Sequence, residues 1–229
     1  MMIFNLTKEA LAHLFPESDV KKQEAIIQHR KGGNIVIYER DNVHDDIVDF
    51  VFNVHVISVK EVHCMIAIEK YSHWVHVIHN VAKGDVNEFC RRLHERLING
   101  IATMIAHAKV TEALMEKSIL SYFSANSDML FVYKNDKVFN MHSAQVARIY
   151  IDSIDESGFP ADEQDALLFD MHQNAVIRQA KPSGDYFFPA EAMLVKYLRH
   201  YTRMTDPEIQ DAVTHNCKAW IIPGAGGIN

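Results

Sequence analysis

The sequence is poor in cysteine and lacks the short motifs that mark common enzyme classes. Its 229 residues include three cysteines, Cys64, Cys90 and Cys217, which lie far apart and form no CxxC spacing. This pattern excludes a zinc ribbon readable from sequence and an evenly paired disulfide framework. The GxGxxG, Walker phosphate-loop and GxSxG motifs are also missing from the sequence, so the commonest nucleotide-binding and hydrolase classes have no support in it.

Long apolar runs are missing too. The longest stretches without Asp, Glu, Lys or Arg are twelve residues, whereas a membrane-spanning helix needs about 20 apolar residues. The first residues show no basic region followed by a long apolar run, so no secretory signal is predicted. We therefore expect a cytoplasmic protein that does not cross a membrane.

Positive charge is scarce relative to negative charge. The formal net charge of −7 opposes a general attraction to nucleic acid, because that attraction comes mainly from Lys and Arg neutralising phosphates. The hydrophobic share of 48% is ordinary for a globular protein with a buried core. We expect one domain over residues 1–229, with a division near 109–128 as the alternative.

The stretch from Phe50 to Val81 is rich in β-branched and aromatic residues, and polar breaks cut it into three strand lengths. A two-residue turn at Lys60–Glu61 places Ile57 opposite Cys64. A four-residue loop at 70–73 joins the second strand to the third. The pattern predicts an antiparallel meander.

Alternation along these strands gives two faces, and both are apolar. The first face comprises His55, Ile57, Val59, Val62, Cys64, Ile66, Ile68, Val75, Val77, His79 and Val81. The second face is more apolar than a solvated sheet needs, so later helices or a second subunit should cover it. We predict a homodimer through the second face, with Phe52, Val54, Met65, Trp74 and Ile78 at the interface.

Helical periodicity dominates the rest of the chain. Asp85 is a good N-cap for a long helix from Val86 to about Ala108, whose outer side should carry Arg91, Arg92, Glu95 and Arg96. Residues 17–29 also predict a helix. Two later helices are expected to begin at the prolines of FPADE and FPAEA. The predicted fold is α+β, an antiparallel β-meander packed against a long helix, with a mainly helical C-terminal half.

The histidines raise the question of a metal site. His73, His76 and His79 recur every third residue, but side chains three apart on a strand point to opposite faces. We predict half-buried sheet histidines and no metal.

Two other arrangements of acids and histidines are open to a chemical interpretation. The acidic run around His44, Asp45, Asp46 and Asp49, with His29, could hold two metals in a hydrolase, yet a solvated loop is the better interpretation. His172 and Asp170 lie two apart on a predicted helix and should not face each other.

Charge is uneven in the last third. Seven acids and no base lie between Asp152 and Asp170, whereas bases dominate from Arg178 to Arg203. Aromatic residues interleaved with those bases could stack on a single-stranded nucleic acid. An amphipathic helix with aromatic residues in the core is the favoured interpretation. The candidate binding residues are His63, Trp74, His76, Arg199 and Arg203.

Three segments carry a family resemblance: MIFNLTKEALAHL, CMIAIEKYSHWVHVIHNVAKGDVNEFCRRLHERL and NDKVFNMHSAQVARIYI. They resemble an uncharacterised bacterial domain family of unknown function, whose plan is a short strand, a Thr-Lys-led helix, a hairpin and later helices. The last segment departs from that family at residues 137–139. The family usually has a basic residue and a serine before the helix, whereas this chain has Lys137, Val138 and Phe139. The resemblance implies an unknown function and transfers no site.

The sequence therefore predicts a non-enzymatic cytosolic protein that acts through protein or small-ligand binding, with no cofactor. A metal-dependent hydrolase using His and Asp ligands is one alternative. A weak binder of single-stranded nucleic acid through residues 178–203 is the other, although nucleic acid is not the expected partner.

Overall fold

The computed structural model describes residues 1–16, 25–29, 35–39, 50–106, 110–134, 137–179 and 184–216. Its elements are β1 (Met2–Leu6), α1 (Lys8–Leu14), β2 (Ala25–His29), β3 (Ile35–Glu39), β4 (Phe50–Val59), β5 (Val62–Glu69), β6 (Val75–His79), α2 (Val86–Ala106), α3 (Glu112–Ala125), β7 (Met129–Tyr133), α4 (Lys137–Ser157), α5 (Glu163–Asn174), β8 (Arg178–Gln179), β9 (Tyr186–Phe187), α6 (Pro189–Tyr201) and α7 (Asp206–Asn216). The α+β class is confirmed.

The described strands form a seven-stranded sheet in the order β3-β2-β7-β1-β4-β5-β6, and β8 pairs with β9 in a separate ribbon. The predicted meander is present as β4-β5-β6, and Ile57 lies opposite Cys64 as expected. Lys60 and Glu61 both have positive φ, as a tight two-residue hairpin turn requires. The purely antiparallel description is wrong for the whole sheet, because β1 pairs in parallel with both β4 and β7.

The helix predicted over residues 17–29 is wrong for its last five residues. Ala25–His29 form β2, which pairs antiparallel with β3 and β7. Hydrogen bonding to two neighbouring strands outweighs a weak local helix preference. The remaining residues of that prediction lie outside the described part of the chain.

One side of the sheet, which we call the helix-rich face, is covered by α1, α2, α3, α6 and α7. Asp85 caps α2 as predicted, since its carboxylate accepts from the Glu88 N–H at 3.0 Å. The helix buries one apolar stripe: Val86, Phe89, Leu93, Leu97, Ile101 and Met104. Arg92 and Arg96, expected on the outer side of α2, are instead buried.

The surface predicted to form a dimer is part of this core. Phe52, Val54, Met65, Trp74 and Ile78 are 0–1% exposed in the single chain. The prediction of a dimer through this surface is therefore wrong, because helices of the same chain already cover it.

The opposite side of the sheet, which we call the α4 face, has a smaller core. Val146, Tyr150 and Ile154 of α4 pack there against inward-facing residues of the meander: Val59, Cys64, Ile66, Ile68, Val75 and Val77. Both predicted faces of the meander are thus largely buried within one chain.

Helix α5 lies along the free edge of the sheet, next to β6. It begins at Glu163 with Asp162 as its cap, so Pro160 is not its first residue as predicted. Pro189 does open α6. Among the described helices, none combines the length and apolarity that a membrane span requires.

Candidate functional site

Two predicted binding residues, Trp74 and His76, meet in a buried polar network. The Trp74 indole N–H donates to Nε2 of His76 at 2.8 Å, and Nδ1 of His76 lies 2.9 Å from Oδ2 of Asp170. An indole nitrogen can only donate, so Nε2 must carry a lone pair and His76 is neutral. Burial, as the largest effect, also lowers the pKa of His76. Gly100 of α2 makes room for the indole ring, since a Cβ there would lie 2.8 Å from Trp74 Cζ2.

The network continues through charged groups towards the surface. Arg96 Nη1 donates to Oδ2 of Asp170 at 2.6 Å, and Arg96 Nε donates to Glu163 at 2.8 Å. Arg92 Nη2 pairs with the same Glu163 at 2.6 Å. Glu163 is half-exposed, whereas Asp170 and Arg96 are 0–2% exposed. The two arginines and the two carboxylates of this network therefore neutralise one another through direct ion pairs.

This network seals the edge of the sheet. Oδ1 of Asp170 accepts the Val77 N–H at 2.9 Å, and Asn174 bonds both the N–H and the C=O of Val75. These two side chains, one turn apart on α5, occupy the place of a further strand along β6. Unpaired strand-edge groups invite pairing with other chains, so hydrogen bonds to α5 satisfy this edge within the chain itself. Trp74 and His76 are inaccessible to solvent, so their contacts stabilise the fold and do not form an exposed binding site.

A second carboxylate organises the loop between β5 and β6. Glu69 accepts from the Ser72 N–H and hydroxyl, both at 2.7 Å, and from the Tyr71 N–H at 3.0 Å. Lys196 of α6 pairs with the same carboxylate at 2.7 Å. Glu69 is fully buried, so every oxygen contact it makes offsets its loss of water.

The three histidines that recur every third residue, His73, His76 and His79, have different surroundings. His76 lies in the buried network, while His73 packs against His142 of α4 and His79 against Phe159. Over the described ranges, no three His, Cys, Asp or Glu side chains converge as metal ligands would. The residues of the alternative metal arrangement, His44, Asp45, Asp46 and Asp49, lie outside the described residues, and His29 belongs to β2.

The remaining predicted residues lie apart from one another. His63 is exposed on β5, and Nδ1 of its ring is 3.5 Å from the Ser58 hydroxyl. Arg199 is exposed and pairs with Asp206 at 2.9 Å, and Arg203 is exposed beyond the end of α6.

The two tyrosines of α6 near those arginines do not offer a stacking surface, whereas Tyr186 of β9 is 68% exposed. Tyr197 is fully buried and Tyr201 is 7% exposed. The Tyr197 hydroxyl lies 3.2 Å from the Ser118 hydroxyl inside the helix-rich face. Bases cannot stack on rings that already form the core.

A cavity that the sequence did not suggest lies at the outer end of the α4 face. It has a volume of about 250 Å³ and lies where α4 ends and α5 begins. We call it the Tyr150 pocket, and its lining residues are Tyr150, Ser153, Ile154, Ser157, Gly158, Phe159, Pro160, Asp165 and Phe169. Three of the lining residues are aromatic, one is an acid and none is a base or a histidine.

The Tyr150 ring lines this pocket, whereas its hydroxyl is buried away from the open space. The hydroxyl lies beside the Cys64 thiol, which donates to the Val62 carbonyl at 3.7 Å. Burial, followed by the nearby Cys64 and Asp170, raises the pKa of Tyr150, so the phenol stays protonated. The Phe169 ring meets the Tyr150 ring edge-on with centroids 5.0 Å apart.

The sequence predicts only part of this pocket. Tyr150 falls on the apolar stripe of α4, which indicates a core residue. The pattern does not predict that the residues after α4 leave a gap beside the Tyr150 ring. The gap depends on how α4 and α5 meet in space.

A smaller cavity lies near the carboxyl ends of the parallel strands β1 and β7, a common location for ligands in α/β sheets. Asn5 Nδ2 donates to Oδ1 of Asn53 at 3.1 Å, and Nδ2 of Asn53 has no partner. The cavity measures about 10 Å³, which is room for roughly one water molecule. An organic ligand does not fit there.

Comparison with known proteins gives a family and no function. No curated protein and no solved structure matches the chain. A family described as a domain of unknown function (DUF6933) matches residues 3–192. This range runs from β1 into the first turn of α6 and covers well over half of the sequence. The chain therefore belongs to this family of unknown function, as the resemblance in its sequence implied.

Proposed function

We propose that this chain is a non-enzymatic cytosolic protein that binds a small aromatic amine, or a molecule of similar shape and charge, in the Tyr150 pocket. The observation that carries this proposal is the cavity itself: about 250 Å³ of space with three aromatic residues and one carboxylate, Asp165, among its lining residues. Apolar pockets with a few convergent polar groups are the usual form of small-ligand sites.

The size of the pocket limits the ligand. Its volume lies just below the roughly 300–1,000 Å³ of typical ligand sites, which suits a single ring with a short substituent. Phe159 and Phe169 supply apolar contact, and the Asp165 carboxylate can accept a hydrogen bond from one polar group of the ligand.

The charge of the pocket favours an amine over an acid. Asp165 is the one charged side chain among the lining residues, and aromatic faces also attract cations. The pocket contains no histidine, and Tyr150 keeps its proton. Its one carboxylate, Asp165, is exposed and already accepts the Ala161 N–H at 3.3 Å, with no histidine or second acid in the lining to work with it. Binding without catalysis is therefore the better account of this site.

We take the described residues as one domain. Strand β7 follows the region near 109–128 in the sequence, yet it lies between β1 and β2 in the sheet. A division at that region would cut through a continuous sheet.

The proposal is tested by titrating the full chain with 2-phenylethylamine, 2-phenylethanol and phenylacetate, followed by NMR. We expect saturable binding at millimolar concentrations, ~4 kcal/mol of binding free energy, in the order amine, alcohol, acid. Asp165→Asn should abolish the preference for the amine. Asp152→Asn, which removes an exposed acid outside the pocket lining, is the matched control and should keep it.

Two results would sink the proposal. One is the absence of saturable binding by any of the three probes. The other is an equal loss of amine preference in Asp165→Asn and Asp152→Asn, because the preference would then reflect the general negative charge of the surface.

A further inference from the structure

A buried arginine on the α4 face has no ionic partner among the described residues. Arg178 of β8 is 8% exposed, and its Nη1 donates to the neutral Oε1 of Gln145 on α4 at 3.1 Å. Its Nε and Nη2 are buried and make no hydrogen bond. No described Asp or Glu forms an ion pair with it.

The two free nitrogens are adjacent in the guanidinium plane. Nε–H and Nη2–H form the fork with which arginine binds two oxygens of a phosphate or a carboxylate. Burial lowers the pKa of Arg178, but arginine starts from so high a value that it keeps its charge. A buried, unpaired charge is costly, so an anion at this fork would relieve a real energetic penalty.

Two histidines complete the surroundings of the fork. His142 lies one turn before Gln145 on α4, hence on the same side of that helix, and both of its ring nitrogens are buried without a partner. The His73 ring lies 5.2 Å from the His142 ring, between centroids. Phe187, the register partner of Arg178, packs on His73 at 5.3 Å and so ties the ribbon β8-β9 to the same cluster.

Both imidazoles are neutral in the folded chain. Burial is the main cause that lowers the pKa of His142 to about 3, and Arg178 and His73 lower it further. Burial and Arg178 also lower the pKa of His73, against a smaller opposite effect of Glu69. Each neutral ring still has one N–H to donate.

We propose that Arg178, His142 and His73 form a binding site for a phosphate group. The arginine fork supplies two donors and the imidazoles supply others, an arrangement that suits the several oxygens of a tetrahedral anion better than the two of a carboxylate. The site is separate from the Tyr150 pocket and does not depend on the function proposed for it.

Entry of the anion requires a small movement, because the unpartnered atoms are closed to water. The ribbon that carries Arg178 has strands of two residues each, and so short a ribbon is only marginally stable by itself. Phosphate binding should therefore order the ribbon against α4.

The test compares thermal unfolding of the full chain in phosphate and in chloride at equal ionic strength, with calorimetric titration of inorganic phosphate and phenyl phosphate. We expect phosphate to raise the melting temperature and to bind saturably. Tighter binding of phenyl phosphate would identify a phosphate monoester as the ligand, and equal or weaker binding would identify the free ion.

Arg178→Met separates the proposal from a structural role. This variant should be at least as stable as the wild type without phosphate, because it loses an unpaired buried charge, and should bind phosphate at least tenfold more weakly. His142→Phe should weaken phosphate binding as well, whereas Arg199→Met at an exposed ion pair should not.

The proposal is overturned if phosphate stabilises no more than chloride does, or if Arg178→Met keeps wild-type phosphate affinity. Destabilisation of Arg178→Met in chloride, together with no phosphate effect in the wild type, would show that the guanidinium is purely structural. Neither result bears on the aromatic amine, whose binding Arg178→Met should leave unchanged.

Discussion

The two faces of the sheet differ in how completely they satisfy their polar groups. On the helix-rich face, most buried polar groups are paired: His94 Nδ1 lies 2.6 Å from the Tyr122 hydroxyl, and Asn126 Nδ2 donates to the Tyr201 hydroxyl at 2.8 Å, although Oδ1 of Asn126 and Nε of Arg92 have no partner. On the α4 face, the Tyr150 hydroxyl and both nitrogens of His142 have no partner. Buried polar groups are normally paired, so the larger number of unpaired ones on the α4 face is the reason both proposals place their ligands there.

The number of covering helices explains the difference. Five helices close over the helix-rich face, and its aromatic rings pack against one another, as Phe4 does on Phe131 at 4.9 Å. A single long helix, α4, covers most of the opposite face. A single helix packed on a twisted sheet leaves gaps along its sides and at its end. Both proposed sites border α4. Under these proposals, the helix-rich face mainly stabilises the fold and the α4 face binds the ligands.

The largest effect should come from breaking the network at the sheet edge, which joins the two faces. Asp170→Asn keeps the shape of the side chain but leaves Arg96 without its buried partner. Removing one member of a buried ion pair typically costs about 3–5 kcal/mol, so we expect a loss of that size in the free energy of unfolding. Urea denaturation followed by circular dichroism measures it.

Glu163→Gln is the matched control, because Glu163 contacts the same Arg96 from a half-exposed position. Exposed ion pairs contribute about 0–1 kcal/mol, so this variant should lose far less stability. Comparable losses in the two variants would show that burial of Asp170 does not govern the strength of the network.

Local patterns made much of the fold predictable. The meander, its turn at Lys60–Glu61 and the stripe of α2 follow from alternation and helical spacing, which are properties of neighbouring residues. The parallel pairing of β1 with β4 joins residues 48 apart, and no local pattern records such a contact. The local pattern predicts a helix where β2 lies, because the pairing of β2 with β7 joins residues 100 or more apart.

The candidate site was less predictable than the fold. Trp74 and His76 were selected for their chemistry, yet their partner Asp170 comes from α5, almost 100 residues later. Arg92 and Arg96 look like an exposed side of α2 until α5 places acids opposite them. The Tyr150 pocket and the Arg178 cluster depend on gaps and missing partners, and these exist only in three dimensions.

An intermediate effect should come from acid, and it compares one histidine from each face. Burial lowers the pKa of His94 to about 4 and that of His142 to about 3. The unfolded chain takes up protons below pH 6.5 while these folded histidines do not, so stability is present above pH 6.5 and is lost as pH falls towards the folded pKa values. Each such histidine costs about 1.4 kcal/mol per pH unit in that window.

Urea unfolding at pH 7, 6 and 5 tests this expectation. His94→Gln, which keeps a polar group beside Tyr122 and removes the titration, should recover about 2 kcal/mol of the loss at pH 5. A wild-type stability that is flat between pH 7 and pH 5, or an unchanged slope in His94→Gln, would contradict it.

The smallest effect concerns whether the two faces unfold locally and independently of each other. One buried cysteine on each face can report on this. Cys64 is buried on the α4 face and Cys90 in the core of the helix-rich face. Burial raises the pKa of Cys64 to about 11 and also raises that of Cys90, so both thiols should react only after local opening. If the α4 face opens on its own, Cys64 should be labelled about tenfold faster, which corresponds to ~1.4 kcal/mol. In a Cys217→Ser background, mass spectrometry of the alkylated peptides measures both rates, and equal rates would mean that the two faces unfold as one unit.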